Sequence, residues 1–215
     1  MGDFKINEKT VFTQSGSAEP AMGSTVTNIP SAGLTGTIPS GVSLASATFP
    51  AGHVLQVVSH NSTTQTSTTL GSSADIVVAD MTKAITPKGA NSDFLVAVRW
   101  FGEVSQVWEI VFNIHKDGDG TSRSNRVNCP ATRAYGLAMA TLTHKDDDSS
   151  TPEICFFETL VKGSSSVIGT PITFKLVSDS NSARTLYTNR SGGSATATGS
   201  YEQGTSELII TEIAG

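Results

Sequence analysis

DFLVAVRWFGEVSQVWEIVFNIHKDGDG, residues 93 to 120, contains two stretches that alternate with a period of two. Phe94, Val96, Val98 and Trp100 fall on one side of the first, and Trp108, Ile110, Phe112 and Ile114 on one side of the second. Successive side chains of a strand point to opposite faces, so each stretch reads as a strand with one apolar face. FGEVSQ between them reads as a hairpin connection. KDGDG reads as a second turn, because Asp and Gly both tolerate positive φ.

The same texture extends outward. HVLQVVSH, ADIVVAD, EICFFETLV, PITFKLVS, RTLYTNR and ELIITEI are strand-length runs between turn signals. ATRAYGLAMATLTH is the best candidate for a helix, and strand is still preferred there. The hydroxyl-rich NSTTQTSTT, residues 61 to 69, reads as a polar strand or loop following the first strand. Roughly eight or nine strands with polar turns predict an all-β, jelly-roll-like β-sandwich. Residues 1–46 differ, with few large apolar side chains and repeated Gly, Pro, Ser and Thr. They read as an extended N-terminal attachment segment or linker with one short strand in KTVFTQSGS, and residues 47–215 as the sandwich domain.

Composition fits this division. Charged residues are 15% of the 215 and hydrophobic ones 37%, while Ser and Thr supply about a quarter of the chain, well above the usual share. Thr suits a pleated surface and does not favour helix. A net charge of −5 argues against nucleic-acid or membrane-surface partners. No signal peptide or apolar membrane span is visible, which predicts synthesis in a cytoplasm and two free thiols, Cys129 and a buried Cys155. A disulfide between them stays open on sequence grounds.

Catalytic and metal-binding patterns are weak. His53, His60, His115 and His144 form no H-x-x-x-H or H-E-x-x-H pattern, and neither cysteine belongs to a zinc-spaced pair. Strand-end or interface histidines are the expectation. Asp117 and Asp119 begin like a calcium loop, but Thr121, Ser122 and Asn128 occupy positions where ligands or glycine are needed. A turn is expected there, and a solvated acidic turn at Asp146 to Asp148. No nucleophile elbow or phosphate loop occurs. Trp100 and Trp108 are in phase with the apolar faces, so core packing is expected of both. The expectation is a non-enzyme with no cofactor and no metal site.

LQVV, EICFF and ELII are apolar on both faces, and the second face needs cover, which predicts self-association. The chain also resembles a known group. SATFPAGHVLQVV (46–58), TPITFKLVSDSNSARTLYTNRSGG (170–193), SELIITEIAG (206–215) and the N-terminal FKINEKTVFTQSGSAEPAM (4–22) are similar to β-rich virion proteins of marine tailed phages, cyanophages in particular. The resemblance implies a tail-fibre-like or decoration protein of the virion, made in the host cytoplasm. Such a protein attaches through its N-terminus to other virion proteins, with a homotrimeric assembly and a host-surface glycan as expected partners. Val11, Phe12 and Ile38 are the expected oligomer contacts. The alternative reading is a carbohydrate-binding or glycan-hydrolysing β-sandwich module. The resemblance carries over no catalytic residue, and the TTLGSSADIVVADMTKAITPKGANSD stretch departs from it.

Overall fold

The computed structural model describes residues 49–106, 110–140, 152–163, 165–193 and 202–215, together with the backbone of 2–6, 9–14 and 21–22. The chain divides into two compact units, Met1–Thr48 and Phe49–Gly215. In the first, β1 (Gly2–Ile6), β2 (Lys9–Gln14) and β3 (Ala21–Met22) form an antiparallel sheet with β2 in the middle. Phe12 pairs with Phe4 on one side and Met22 on the other. The one strand read from KTVFTQSGS is therefore the centre of three.

The second unit is a jelly roll. One sheet holds β4 (Val54–Ser62), β5 (Thr66–Leu70), β7 (Asp93–Val104), β10 (Glu153–Val161), β12 (Arg184–Thr188) and β13 (Ser206–Ile213). β10, β7, β13 and β4 lie side by side in that order, all antiparallel. β12 and β5 extend the β13 and β4 positions along the upper part of β7. The other sheet holds β6 (Ile76–Ile85), β11 (Ile172–Ser180), β8 (Ile110–Lys116) and β9 (Ala138–Met139), in that order. The chain alternates between sheets, entering the first at β4–β5, β7, β10 and β12–β13, and the second at β6, β8–β9 and β11. This double Greek-key path defines a jelly roll. The hydroxyl tract after the first strand continues it, since Ser62 ends β4 and Thr66 begins β5.

Alternation along β7 explains the core. Phe94, Val96, Val98 and Trp100 are all buried between the sheets. The Phe94 ring meets Phe174 of β11 at 5.6 Å between centroids, and the Trp100 ring meets Phe112 of β8 at 5.1 Å. The Trp100 indole N–H donates to Thr188 Oγ1 at 3.0 Å, so its polar atom is satisfied inside the core. Gly102 interrupts the bulky run where space is needed: a Cβ there would overlap the Tyr187 carbonyl oxygen and approach the Trp100 ring at 2.5 Å.

Three readings are corrected. FGEVSQ does not close a hairpin: β7 pairs with β10, β13 and β12, whereas β8 pairs with β11 and β9. Both strands direct an apolar face inward, and facing sheets satisfy those faces better than neighbours in one sheet would. The YGLAMATLTH strand shrinks to Ala138–Met139 among the described residues. Cys155 is half-buried rather than buried, and it and Cys129 are free thiols. Trp108, His144 and Asp146 to Asp148 lie outside the described residues, as do Ile38 and the side chains of Val11 and Phe12.

Candidate functional site

Two features of the sandwich stand apart from a plain apolar core: buried polar clusters that tie strands to loops, and an apolar outer sheet face.

The largest cluster lies on the outer side of the β6-β11-β8-β9 sheet. Residues 117 to 136 leave β8, cross that face and return toward β9. Beneath them Asp75, Asn113, His115 and Asp179 are fully shielded from solvent. Arg126 sits at the centre. Its Nε donates to Asp75 Oδ2 at 2.8 Å, and its Nη2 donates to Asp75 Oδ1 at 2.5 Å and to Asp179 Oδ2 at 2.7 Å. Its Nη1 donates to the carbonyls of Thr132 and Tyr135, both at 2.9 Å. Arg123 adds a second guanidinium on Asp179 at 2.7 Å. His115 Nε2 donates to Asp75 Oδ2 at 2.6 Å, and its Nδ1 is buried with no hydrogen-bond partner among the described residues. Burial alone would push the Asp75 carboxyl up. The hydrogen bonds and charges of Arg126 and His115 outweigh that and hold it below its ordinary 3.8.

This arrangement joins a histidine, two carboxylates and two arginines, and its bonds tie together β8, β11, the chain ahead of β6 and residues 117 to 136. The expectation of a strand-end or interface histidine places His115 correctly on its strand and misses its surroundings. The Asp117–Gly120 turn expected from KDGDG is present, with positive φ at Asp117, Gly118 and Gly120. Gly120 could carry no side chain, because a Cβ would run into Val77 of β6. Asp119 accepts the backbone N–H groups of Thr121 and Ser122, and these bonds lower its carboxyl to about 2.

A second cluster closes the opposite seam. Asp80 adopts φ 59 where the β6–β11 register slips, and this bulge aims its carboxylate across to β4. Ser62 Oγ donates to it at 2.7 Å, and His60 Nε2 lies 2.7 Å from the Asp80 carbonyl. Ser62, His60 and Asp80 thus include the residue types of a hydrolytic triad in an unsuitable order. The hydroxyl faces the carboxylate rather than the imidazole, and Ser62 is wholly buried. Asn189 completes the group by donating to the Ser62 carbonyl and accepting from Ser206 Oγ at 2.7 Å. No catalytic motif marks these residues. The only local signal was hydroxyl and amide residues inside strand-like runs.

The outer face of the larger sheet is different. The described ends of the β12–β13 connection touch its upper part, where Gly192 N donates to Glu103 and Gly204 lies against the Phe101 ring. Below and beside those contacts, Ile154 and Phe156 of β10 are 61% and 66% exposed, and Val54 and Val57 of β4 are 58% and 57% exposed. Half-buried Leu95, Ala97 and Ile209 lie between these two strands. The two-faced runs LQVV and EICFF therefore place large apolar groups in solvent, while Ile209 of ELII is half-buried. On the smaller sheet cover comes from residues 117 to 136 of the same chain. Among the described residues no group of His, Cys, Asp and Glu is arranged to hold a metal ion.

No family model matches the chain, and no curated protein matches it. Among solved structures, the structure of infectious bursal disease virus Gx strain is similar at 13% identity and a TM-score of 0.30. That match covers 74% of this chain, which spans 40% of the length of the matched chain. Similarity at this level carries no functional argument.

Proposed function

We propose that the chain is a structural virion protein of a tailed phage, a short fibre or surface appendage. Its N-terminal unit attaches to the particle, and its jelly roll packs against further copies of itself. The observation that carries this reading is the exposed apolar strip formed by Ile154 and Phe156 on β10. Large apolar groups held in solvent on a rigid sheet favour protein contact, and symmetric self-contact is the commonest kind in soluble assemblies. Only the resemblance of the strand sequences to cyanophage appendage proteins supports the phage setting and a threefold arrangement. An interface on this face would desolvate the apolar strip together with the Arg99–Glu207 pair and the exposed Glu158 beside Phe156.

The direct test is incorporation. A chain lacking residues 1–46 is expected to fold as a soluble jelly roll and to be missing from purified particles. Normal incorporation of that truncation would remove the attachment role. Light scattering on the intact chain tests the assembly, and a monomeric mass at micromolar concentration would overturn it.

A further inference from the structure

We propose that residues 117 to 136 form an acid-released strap. The Asp75–Arg126–Asp179 charge cluster latches it over the outer face of the smaller sheet, and proton uptake by the cluster lets it lift while the sandwich stays folded. This inference is independent of the function proposed above.

The strap is poorly anchored by apolar contact. Most of its residues are exposed or half-buried; Gly120, Arg126 and Val127 are the buried ones, and only Val127 joins the main apolar core. The sandwich holds together without it, because Phe94, Trp100, Phe112 and Phe174 pack directly across the sheets. Segments with few buried apolar contacts open at lower free energy than the core they cover. Closure of this strap depends on Arg126, whose Nη1 gathers the strap's own carbonyls while Nε and Nη2 grip Asp75 and Asp179 beneath.

The latch draws charged groups from several elements. Asp75 enters from the segment ahead of β6, Asp179 from β11 and His115 from β8. Arg123, Arg126 and the Cys129 thiol come from the strap. Two carboxylates, Asp75 and Asp179, face two guanidiniums, Arg123 and Arg126. Lys175 of β11 lies at the strap's first turn, where its ammonium donates to the Gly118 carbonyl. A proton added to Asp75 leaves two guanidiniums facing one carboxylate in a site shut off from water.

The sign follows from Asp75. Latched, its carboxyl binds a proton less readily than the ordinary 3.8; released into water, it returns toward that value. The open strap therefore binds more protons, and acid favours opening. The latch contributes fully above the ordinary carboxylate value and is lost as pH falls through the lower, latched one.

Hydrogen exchange on the intact chain tests the proposal, in steps from about pH 7 to about pH 2, so that the series passes through the ordinary carboxylate value and below it, with intrinsic exchange chemistry corrected. The amides of Arg126, Val127 and Tyr135, which donate to Arg123, Ile114 and Thr132, report the strap. They are expected to lose protection by about tenfold or more across this range while the amides of β7 and β13 keep theirs. Simultaneous loss in strap and strands, or no change in either, would overturn the proposal. Asp75→Asn removes one carboxylate charge, so its strap amides should already exchange fast at the upper pH and respond little to acid. Wild-type protection and wild-type acid response in that variant would also sink the latch. If the variant fails to fold, β7 exchange reveals it, and the wild-type series decides alone.

Discussion

Glu212 Oε1 accepts the Ser92 hydroxyl at 2.7 Å, although 120 positions separate the two residues. The backbone N–H groups of Lys88 and Gly89 and the side chain of Gln56 converge on the same buried carboxylate. One group thus fastens β13, β4 and the β6–β7 turn. Glu212→Ala leaves several donors buried without their acceptor, and a loss of about 3 kcal/mol is expected. Urea unfolding should show a lower midpoint at unchanged slope. A change below about 0.5 kcal/mol would mean that water replaces the carboxylate.

Acid should weaken the fold for the same reason. Burial pushes the Glu212 carboxyl up, but hydrogen bonds from Gly89, Gln56, Lys88 and Ser92 hold it below its ordinary 4.5, and Asp75 is likewise held below 3.8. Unfolded chain binds protons that these folded carboxyls refuse. Their contribution is therefore full above those ordinary values and is lost as pH falls through the folded ones. Thermal melts should show little pH dependence from these groups near neutrality, where their contribution is complete, and a fall in Tm once pH drops below about 5. Glu212→Gln should make that acid slope shallower by up to about 1.4 kcal/mol per pH unit. An unchanged slope contradicts the assignment.

The Trp100 indole offers a narrower test. Thr188→Val keeps the shape of the core and removes the acceptor of the indole N–H. A cost of about 1–2 kcal/mol is expected for leaving that donor buried and unpaired. Tryptophan fluorescence followed through chemical unfolding measures it, and a neutral or stabilising result would show that the donor finds another partner.

At the β10 surface, stability and association should separate. Phe156→Ser and Ile154→Ser replace groups already mostly in solvent, so each should change stability by no more than about 0.5 kcal/mol. Sedimentation at equal concentration should nevertheless show weaker self-association for the double variant. Assembly as strong as wild type would move the interface elsewhere.

How much of this was legible follows from how far each signal reaches along the chain. The period-two pattern of Phe94 to Trp100 is set by neighbouring residues, and it identified a core strand correctly. The same rule could not say that β8 crosses to the facing sheet after FGEVSQ. Alternation specifies which face is apolar and leaves the pairing partner to distant backbone. The exposed apolar groups of EICFF were visible as a two-faced strand, although sequence could not divide cover by residues 117 to 136 from exposure on β10.

The polar clusters were beyond local reading. Asp75 meets His115 across 40 positions and Arg126 across 51, while Arg126 meets Asp179 across 53. Each stands near a turn, where a charge ordinarily meets water. By itself the sequence determined strands, their apolar faces and a sandwich to bury them, because those follow from side-chain alternation and apolar burial. Only the tertiary structure decided that these charges lie under a strap and hold it. Burying an ion is tolerable only when distant parts of the chain bring it a partner of opposite charge.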